Sequence, residues 1–260
     1  MITTERVQTK MIKSFSFSNF RSFKDEVTVD FSTVDENRNW KVLTTGEYNK
    51  VVAIYGPPAS GKSTILDALH GRYDETNFKA DADGEMKTFH LDDLSVEQAT
   101  QIYIDNPKIL KYTVGVLKCS DLGISDVFVY QDGRVVFEHG GKFELPISSE
   151  SSGTLRLYCM LIGIYRAIKS KGIALWEERG ALHHMLVRHI ILSFYETDAQ
   201  LIMTTNISLE YMMEDEYFNR SQVYIVERSG DGSALKRLDE FDKEKEPEVS
   251  LSNNLFINML

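Results

Sequence analysis

The sequence predicts an α/β fold in which a mostly parallel core sheet is flanked by helices. In residues 51–71, an apolar run of five residues is followed by a glycine-rich turn and a helical segment. Short apolar runs then alternate with helical segments between residues 173 and 228. Because parallel strands are joined through crossover helices, this order favours β-α-β units. Alternation of apolar and polar residues between 11 and 31 indicates a separate antiparallel β subdomain.

Length and composition narrow the classes of protein. The chain has 260 residues, of which 42% are apolar and 26% charged, as in ordinary globular proteins. Its formal net charge of −10 excludes a surface that is basic throughout and leaves contact with nucleic acid through a local patch open. Two cysteines, Cys119 and Cys159, cannot form a disulfide framework, which favours a cytoplasmic location. No apolar segment is long enough for a membrane span, so we expect no membrane partner.

The first half of the chain combines strands with one early helix. Period-2 patterns in MIKSFSFSNF and EVTVDF predict half-buried strands, and the apolar run VVAIY, residues 51–55, predicts a buried parallel strand before a helix from Lys62. Residues 74–105 are acidic and poor in large apolar side chains, which indicates a surface subdomain or a lid. The runs VFVY, RVVFEH and KFELPI, within residues 112–147, predict β-hairpins.

The second half is read as helix and strand in alternation. Apolar residues at helical spacing predict a long helix from Gly153 to Ser170. Strands are expected at residues 173–176, 200–205 and 222–228, with helices around 181–196 and 207–215. Residues 1–260 are therefore predicted to form one domain, divided into 11–72 (N-terminal β subdomain and glycine-rich loop), 73–148 (insertion or lid and hairpins), 149–238 (long helix and second half of the core sheet) and 239–260 (acidic and polar tail).

The glycine-rich turn carries the most specific motif. Residues 56–63 read GPPASGKS and match G-x-x-x-x-G-K-[ST], between a strand and a helix. Such a loop binds phosphate through backbone N–H groups; Lys62 would neutralise the β- and γ-phosphate oxygens and Ser63 would bind Mg²⁺. The predicted nucleotide-binding residues are Gly56, Pro57, Pro58, Ala59, Ser60, Gly61, Lys62, Ser63 and Thr64, with Ser63 as the metal ligand.

A serine-rich turn, SESSGT at residues 149–154, opens the long helix. Helix N-termini attract anions, so this turn is either a second phosphate-binding element or an ordinary helix cap. Kinases and GTPases have no use for such an element at this point of the chain.

With these motifs the chain resembles the ABC-class AAA-type ATPases related to RecF, OLD and SMC heads, many of which occur in prokaryotic antiphage and abortive-infection operons. Seven segments in family order carry the resemblance: FSNFRSF (17–23), IYGPPASGKST (54–64), CSDLGISDV (119–127), SESSGTLRL (149–157), EERGALHHML (177–186), AQLIMTTN (199–206) and QVYIVER (222–228). They begin near Met11, which the resemblance suggests as an alternative start. The resemblance implies the P-loop fold of an ABC or SMC head, ATP and Mg²⁺ as ligands, and a homodimer that holds two nucleotides.

The resemblance also implies roles for single residues. Ser151, Ser152 and Gly153 fall on the signature motif, which contacts the nucleotide of the partner subunit. Arg21 corresponds to an arginine that often lies near the phosphates. Glu177 corresponds to the catalytic carboxylate that polarises the attacking water.

Two positions depart from the family pattern. Counting back from Leu182 and His183 places Trp176 where the family has a Mg²⁺-anchoring aspartate, and Glu177 at the catalytic glutamate. Asn206 stands where the family commonly has a histidine at the γ-phosphate; its amide forms hydrogen bonds but carries no charge. Both departures predict weakened hydrolysis.

Two function hypotheses therefore stay open. In the first, the homodimer binds and hydrolyses ATP, with Lys62 and Mg²⁺ stabilising charge and Glu177 orienting water. In the second, a nucleotide-sensing regulatory module dimerises on ATP with little or no hydrolysis and gates a partner effector, such as a nuclease or toxin. A small-molecule kinase would need an acceptor-binding base that no motif supplies. His183, His184 and His189 are expected at an interface or on the surface rather than as metal ligands.

Overall fold

The computed structural model describes residues 11–33, 48–71, 77–120, 122–180, 182–205 and 218–241. The strands in these ranges are β1 (Ile12–Phe17), β2 (Val27–Asp30), β3 (Val51–Tyr55), β4 (Lys79–Ala82), β5 (Thr88–His90), β6 (Ile124–Val129), β7 (Val135–His139), β8 (Phe143–Pro146), β9 (Ile173–Glu177), β10 (Gln200–Thr205), β11 (Val223–Ser229) and β12 (Gly232–Arg237). The helices are α1 (Lys62–Leu69), α2 (Val96–Asp105), α3 (Pro107–Cys119), α4 (Ser152–Ser170) and α5 (His184–Tyr195). The helix expected around 207–215 and the tail beyond residue 241 lie outside the described ranges.

The central sheet has six strands in the order β12-β11-β3-β10-β9-β5. Every neighbouring pair is parallel except β11 and β12, which form an antiparallel hairpin at one edge. The predicted α/β fold with a mostly parallel core sheet is confirmed. Parallel order brings the C-terminal ends of β3, β10 and β9 to one edge of the sheet, where the chain turns into the loops of the candidate site.

The central sheet is covered on both faces, which explains its uniformly apolar strands. In β3, Val51 and Ala53 belong to the larger hydrophobic core with α4 and α5. Val52 and Ile54 belong to the second core, which α1 shares with the N-terminal sheet. Each successive residue thus faces the opposite core, because strand side chains alternate.

The N-terminal sheet is antiparallel, in the order β2-β1-β4. It is joined to the central sheet by the buried side-chain amide of Gln200, at the start of β10. Gln200 Oε1 accepts the Ile12 N–H at 2.8 Å, and Gln200 Nε2 donates to the carbonyls of Ile12 at 3.0 Å and Asn49 at 3.3 Å. One amide therefore satisfies backbone groups from two other segments.

The described part of residues 74–105 is not a surface lid. β4 completes the N-terminal sheet, β5 forms the far edge of the central sheet beside β9, and α2 packs on α4. Residues 107–119, the start of the region expected to be strands, form helix α3, which buries Ile109, Thr113 and Leu117 on one face. The hairpins expected farther along are present as the antiparallel sheet β6-β7-β8.

The long helix is confirmed as α4, which buries ten of its nineteen residues, eight of them in the larger core. None of the helices in the described ranges combines the length and the apolar character needed to cross a bilayer.

Candidate nucleotide-binding site

The loop between β3 and α1 has the backbone of a phosphate-binding turn. Ala59 has φ 60° and Gly61 has φ 109°, so left-handed residues interrupt the loop before the helix begins. The Ser60 N–H donates to the Pro57 carbonyl at 3.2 Å. Changes of backbone hand of this kind direct successive N–H groups into one concave surface, which binds anions.

Neighbouring strands hold this loop in place. A Cβ added at Gly56 would lie 2.6 Å from the backbone oxygen of Val226 in β11, so no larger residue fits there without movement of that strand. The Ser233 hydroxyl of β12 donates to the Ser60 carbonyl at 2.6 Å, and Arg228 Nη1 donates to the Ala59 carbonyl at 2.8 Å. The β11-β12 hairpin therefore fixes the loop from outside.

The Lys62 side chain folds back across the loop. Its Nζ donates to the carbonyls of Gly56 at 2.6 Å and Pro57 at 2.9 Å. Burial lowers the pKa of Lys62 from its ordinary value, and the nearby charge of Glu177 opposes that change. The cation is thus held at the mouth of the loop, where phosphate oxygens would be neutralised.

Glu177, the last residue of β9, meets the first turn of α1. Arg179 Nε donates to Glu177 Oε2 at 2.9 Å, and the Ser63 hydroxyl lies close enough to the carboxylate to lower its pKa. Burial alone would raise the pKa of Glu177, but Arg179 and Ser63 outweigh burial, and the net pKa is lowered from the ordinary value. An ionised carboxylate therefore lies beside the hydroxyl that the motif assigns to Mg²⁺.

Trp176 does not stand beside the loop. Its indole is fully buried in the larger core, on the face opposite α1. Strand alternation turns Glu177 to the P-loop side, so Glu177 rather than Trp176 is the residue of this strand end that faces the loop.

Glu178 lies just beyond β9 and is only 4% exposed. Its backbone N–H donates to the Thr204 carbonyl at 2.8 Å, and its carboxylate accepts from the Gly180 N–H and, at 3.4 Å, from the Thr205 hydroxyl. A second carboxylate is thus fixed between the ends of β9 and β10.

The serine turn caps α4. Ser151 Oγ accepts the Thr154 N–H at 3.1 Å, so this residue has the role of an ordinary N-cap. Ser151 and Ser152 are exposed, and Gly153 is partly so. The cap leaves Ser152 and Gly153 accessible at the N-terminus of a nineteen-residue helix.

Arg21 contacts the P-loop helix. Its Nη1 lies 2.9 Å from Asp67 Oδ2 of α1, and its guanidinium lies over the Phe20 ring. Asn206 lies outside the described residues. His183 caps α5 by accepting the Met185 N–H, and its ring packs against that of His184.

The donor set fits Mg²⁺, which typically takes one or two protein oxygens together with substrate phosphates. Ser63 and Glu177 supply a neighbouring hydroxyl and carboxylate. Within the described ranges, no three His, Cys, Asp or Glu side chains form a group that could hold a metal by themselves.

Sequence reasoning missed Arg228 and Ser233, which hold the loop. No local signal points to Ser233, because its contact with Ser60 spans 173 positions of the chain.

Comparison with known proteins agrees with this geometry. A family model described as AAA domain matches residues 14–106, which include β1, the loop and α1. The SMC head domain from Thermotoga maritima is similar, with a TM-score of 0.51 at 15% identity over 87% of this chain and 98% of that one. The SMC head domain with an extended coiled coil, bound to the C-terminal domain of ScpA, from Pyrococcus furiosus, is similar with a TM-score of 0.53 at 12% identity, over 89% and 97%. No curated protein matches the sequence.

The resemblance to ABC- and SMC-type AAA ATPases is thereby confirmed: residues 14–106 match an AAA domain, and the fold is that of SMC heads.

Proposed function

We propose that this chain binds ATP with Mg²⁺ and hydrolyses it between two copies of itself. The observation that carries the proposal is the position of the ionised Glu177 at the end of β9, where its charge acts on Lys62 of the phosphate loop and the Ser63 hydroxyl lowers its pKa. It joins the two elements that a Mg²⁺–triphosphate needs, a concave phosphate loop and a carboxylate.

Each residue then has a separate task. The loop N–H groups of residues 59–63 and the Lys62 ammonium bind the β- and γ-phosphates. Ser63 and Glu177 would hold the Mg²⁺, which neutralises charge on the phosphate oxygens when bound. Glu178, rather than Glu177, is assigned to orient the attacking water, because its carboxylate is held at the neighbouring strand end without contact to Ser63.

The homodimer follows from the exposed serine turn. In the proposed arrangement, Ser152 and Gly153 of one copy contact the γ-phosphate bound by the loop of the other. The N-terminal end of α4 carries partial positive charge, which favours a phosphate there. Ser151 contributes indirectly, by capping the helix.

One contact favours the second candidate, a sensor with little turnover. Arg179 is paired with the Glu177 carboxylate, and its side chain is 68% exposed. The guanidinium has to leave before a metal ion can use both carboxylate oxygens. If it stays, ATP binding and dimerisation would proceed while hydrolysis remains slow, and a partner effector such as a nuclease or toxin would respond to the dimer.

A cytoplasmic location and a role in antiphage defence are further proposals; the first rests on the low cysteine content and the second on the motif resemblance. Genes for a nuclease or toxin beside this one would support the defence role. A neighbourhood without any such gene, in several genomes, would count against the defence role.

The proposal is tested by three measurements on the full chain: ATP affinity by titration, phosphate release, and ATP-dependent dimerisation by sedimentation. Lys62→Ala is expected to lose affinity, with the exposed Lys111→Ala of α3 as the matched control. Ser152→Arg is expected to keep ATP affinity and lose dimerisation. Absence of ATP binding by the wild type would overturn the proposal, and dimerisation without phosphate release would establish the sensor.

A further inference from the structure

A network of hydrogen bonds connects α4 with the end of β9. Arg156, in the second turn of α4, donates to Asp92 Oδ1 through Nε at 3.0 Å and through Nη2 at 2.7 Å. Arg156 Nη2 also donates to the Glu177 carbonyl, and Asp92 Oδ2 accepts the Glu177 N–H at 3.1 Å. Both backbone polar groups of Glu177 are therefore bound by this one ion pair.

The ion pair is shielded from solvent. The side chains of Arg156 and Asp92 are 15% and 17% exposed. Screening by water and salt is weak at such positions, and a guanidinium held by several hydrogen bonds is fixed in orientation. This network therefore differs from the exposed ion pairs elsewhere on the chain.

A second contact ties α4 to the same segment. Gly163 lies seven residues after Arg156, on the same face of the helix. A Cβ at Gly163 would lie 2.7 Å from Leu91 Cδ2 and 3.5 Å from the His90 carbonyl. Leu91 is buried and precedes Asp92 directly, so helix and loop touch at two points and are expected to move together.

We infer that Arg156 and Asp92 are positioning residues that couple the serine turn of each subunit to its own Glu177, and through it link the two nucleotide sites of the dimer. The inference rests on the proposed function. Ser152 and Gly153 contact the nucleotide of the partner, whereas Glu177 serves the nucleotide in its own loop. A shift of α4 on contact with the partner's phosphate is carried by Arg156 to the backbone of Glu177.

The coupling makes hydrolysis cooperative in ATP. A subunit whose serine turn is engaged holds Glu177 against Ser63, and its partner does the same once both nucleotides are present. Asp92 and Arg156 touch no nucleotide in this scheme. Their loss is therefore expected to change turnover and cooperativity and to leave ATP affinity close to that of the wild type.

The experiment compares Asp92→Asn with Asp198→Asn. Asp198 pairs with Lys171 at 2.7 Å, just after the other end of α4, so the same chemical change is made in an ion pair remote from Glu177. The steady-state rate of phosphate release is measured against ATP concentration, together with ATP affinity and the thermal unfolding midpoint. Arg156→Lys is the second variant, because lysine keeps the charge but cannot reproduce the two-point hydrogen bonding of the guanidinium.

For Asp92→Asn and Arg156→Lys we expect kcat to fall about tenfold or more, the Hill coefficient to fall to 1, and the ATP affinity to change less than about threefold. Asp198→Asn is expected to match the wild type. An active wild type with Asp92→Asn indistinguishable from Asp198→Asn overturns the inference alone. A wild type that neither binds ATP nor releases phosphate overturns the proposed function, and this inference with it.

Discussion

Replacing each of the two acidic residues after Trp176 by glutamine separates their roles. Glu178→Gln keeps the size of a side chain that is 4% exposed. The glutamine oxygen can replace one acceptor, so the loss is at most a charge-assisted hydrogen bond, about 1–2 kcal/mol of folding free energy. Since domains unfold with about 5–15 kcal/mol, the variant should stay folded.

The catalytic effect is expected to be much larger. A positioned carboxylate that accepts a proton from water contributes about 10²–10⁴-fold to a rate, so Glu178→Gln should lower kcat by that factor. ATP affinity should change little, because the residue contacts neither the loop nor Ser63. Glu177→Gln removes the charge beside Ser63, and we expect a rise of about tenfold or more in the Mg²⁺ concentration that gives half-maximal activity.

The assay is phosphate release at saturating ATP, titrated with Mg²⁺, for the wild type and both variants, with far-ultraviolet circular dichroism to confirm folding. If Glu178→Gln kept its rate within about threefold of the wild type while Glu177→Gln lost activity at every Mg²⁺ concentration, our assignment from strand alternation would be refuted. The assignment obtained by counting from Leu182, in which Glu177 is the catalytic carboxylate, would then be right.

Three further predictions concern stability and pH. Gly172→Ala should lower the free energy of unfolding by about 1–3 kcal/mol, because its Cβ would lie 2.5 Å from a backbone oxygen. Gly115→Ala, in open space within α3, should raise the free energy of unfolding by about 0.5–1 kcal/mol. Urea titration measures both changes, and equal effects of the two substitutions would contradict the geometry. Ser151→Ala should lower the free energy of unfolding by about 1 kcal/mol through loss of the α4 cap. Ser152→Ala should change the free energy of unfolding by less than about 0.5 kcal/mol and weaken ATP-dependent dimerisation. A larger loss of stability for Ser152→Ala than for Ser151→Ala would contradict these roles. The affinity for ATP should fall as pH rises through the pKa of Lys62, which burial lowers from its ordinary value, because the bound phosphates need the protonated ammonium. A Lys62→Arg variant should show no such fall over the same pH range. A wild-type affinity that does not change with pH would exclude this role for Lys62.

Features of the fold that are encoded in contiguous residues could be predicted from the sequence, and features that depend on distant pairing could not. The strand, loop and helix around Lys62 are contiguous, and the motif specifies them together. β5 could not be predicted in the same way. It has only three residues and is a strand only because β9 pairs with it, 85 positions away. α3 was missed because KYTVGVLK is rich in residues with high strand propensity; its packing against α4 outweighs that propensity.

The candidate site likewise contains residues that could be predicted from the sequence and features that could not. The P-loop residues and the serine turn were predicted from motifs, but the face of the sheet on which each side chain lies was not. Counting from Leu182 assumed a fixed length for the turn after β9. In the structure, Glu178 closes that turn with its own carboxylate on the Gly180 N–H, while Trp176 is buried in the larger core.

The Gln200 amide sets a limit on how far the chain can be shortened from its amino end. Removal of residues 1–10 leaves all three of its hydrogen bonds in place, since they reach Ile12 and Asn49. Removal of Ile12 leaves the Gln200 amide oxygen and one of its N–H groups buried without a hydrogen-bond partner. Each unsatisfied group costs about 1–3 kcal/mol of folding free energy. Trimmed versions for crystallisation should therefore begin no later than Met11.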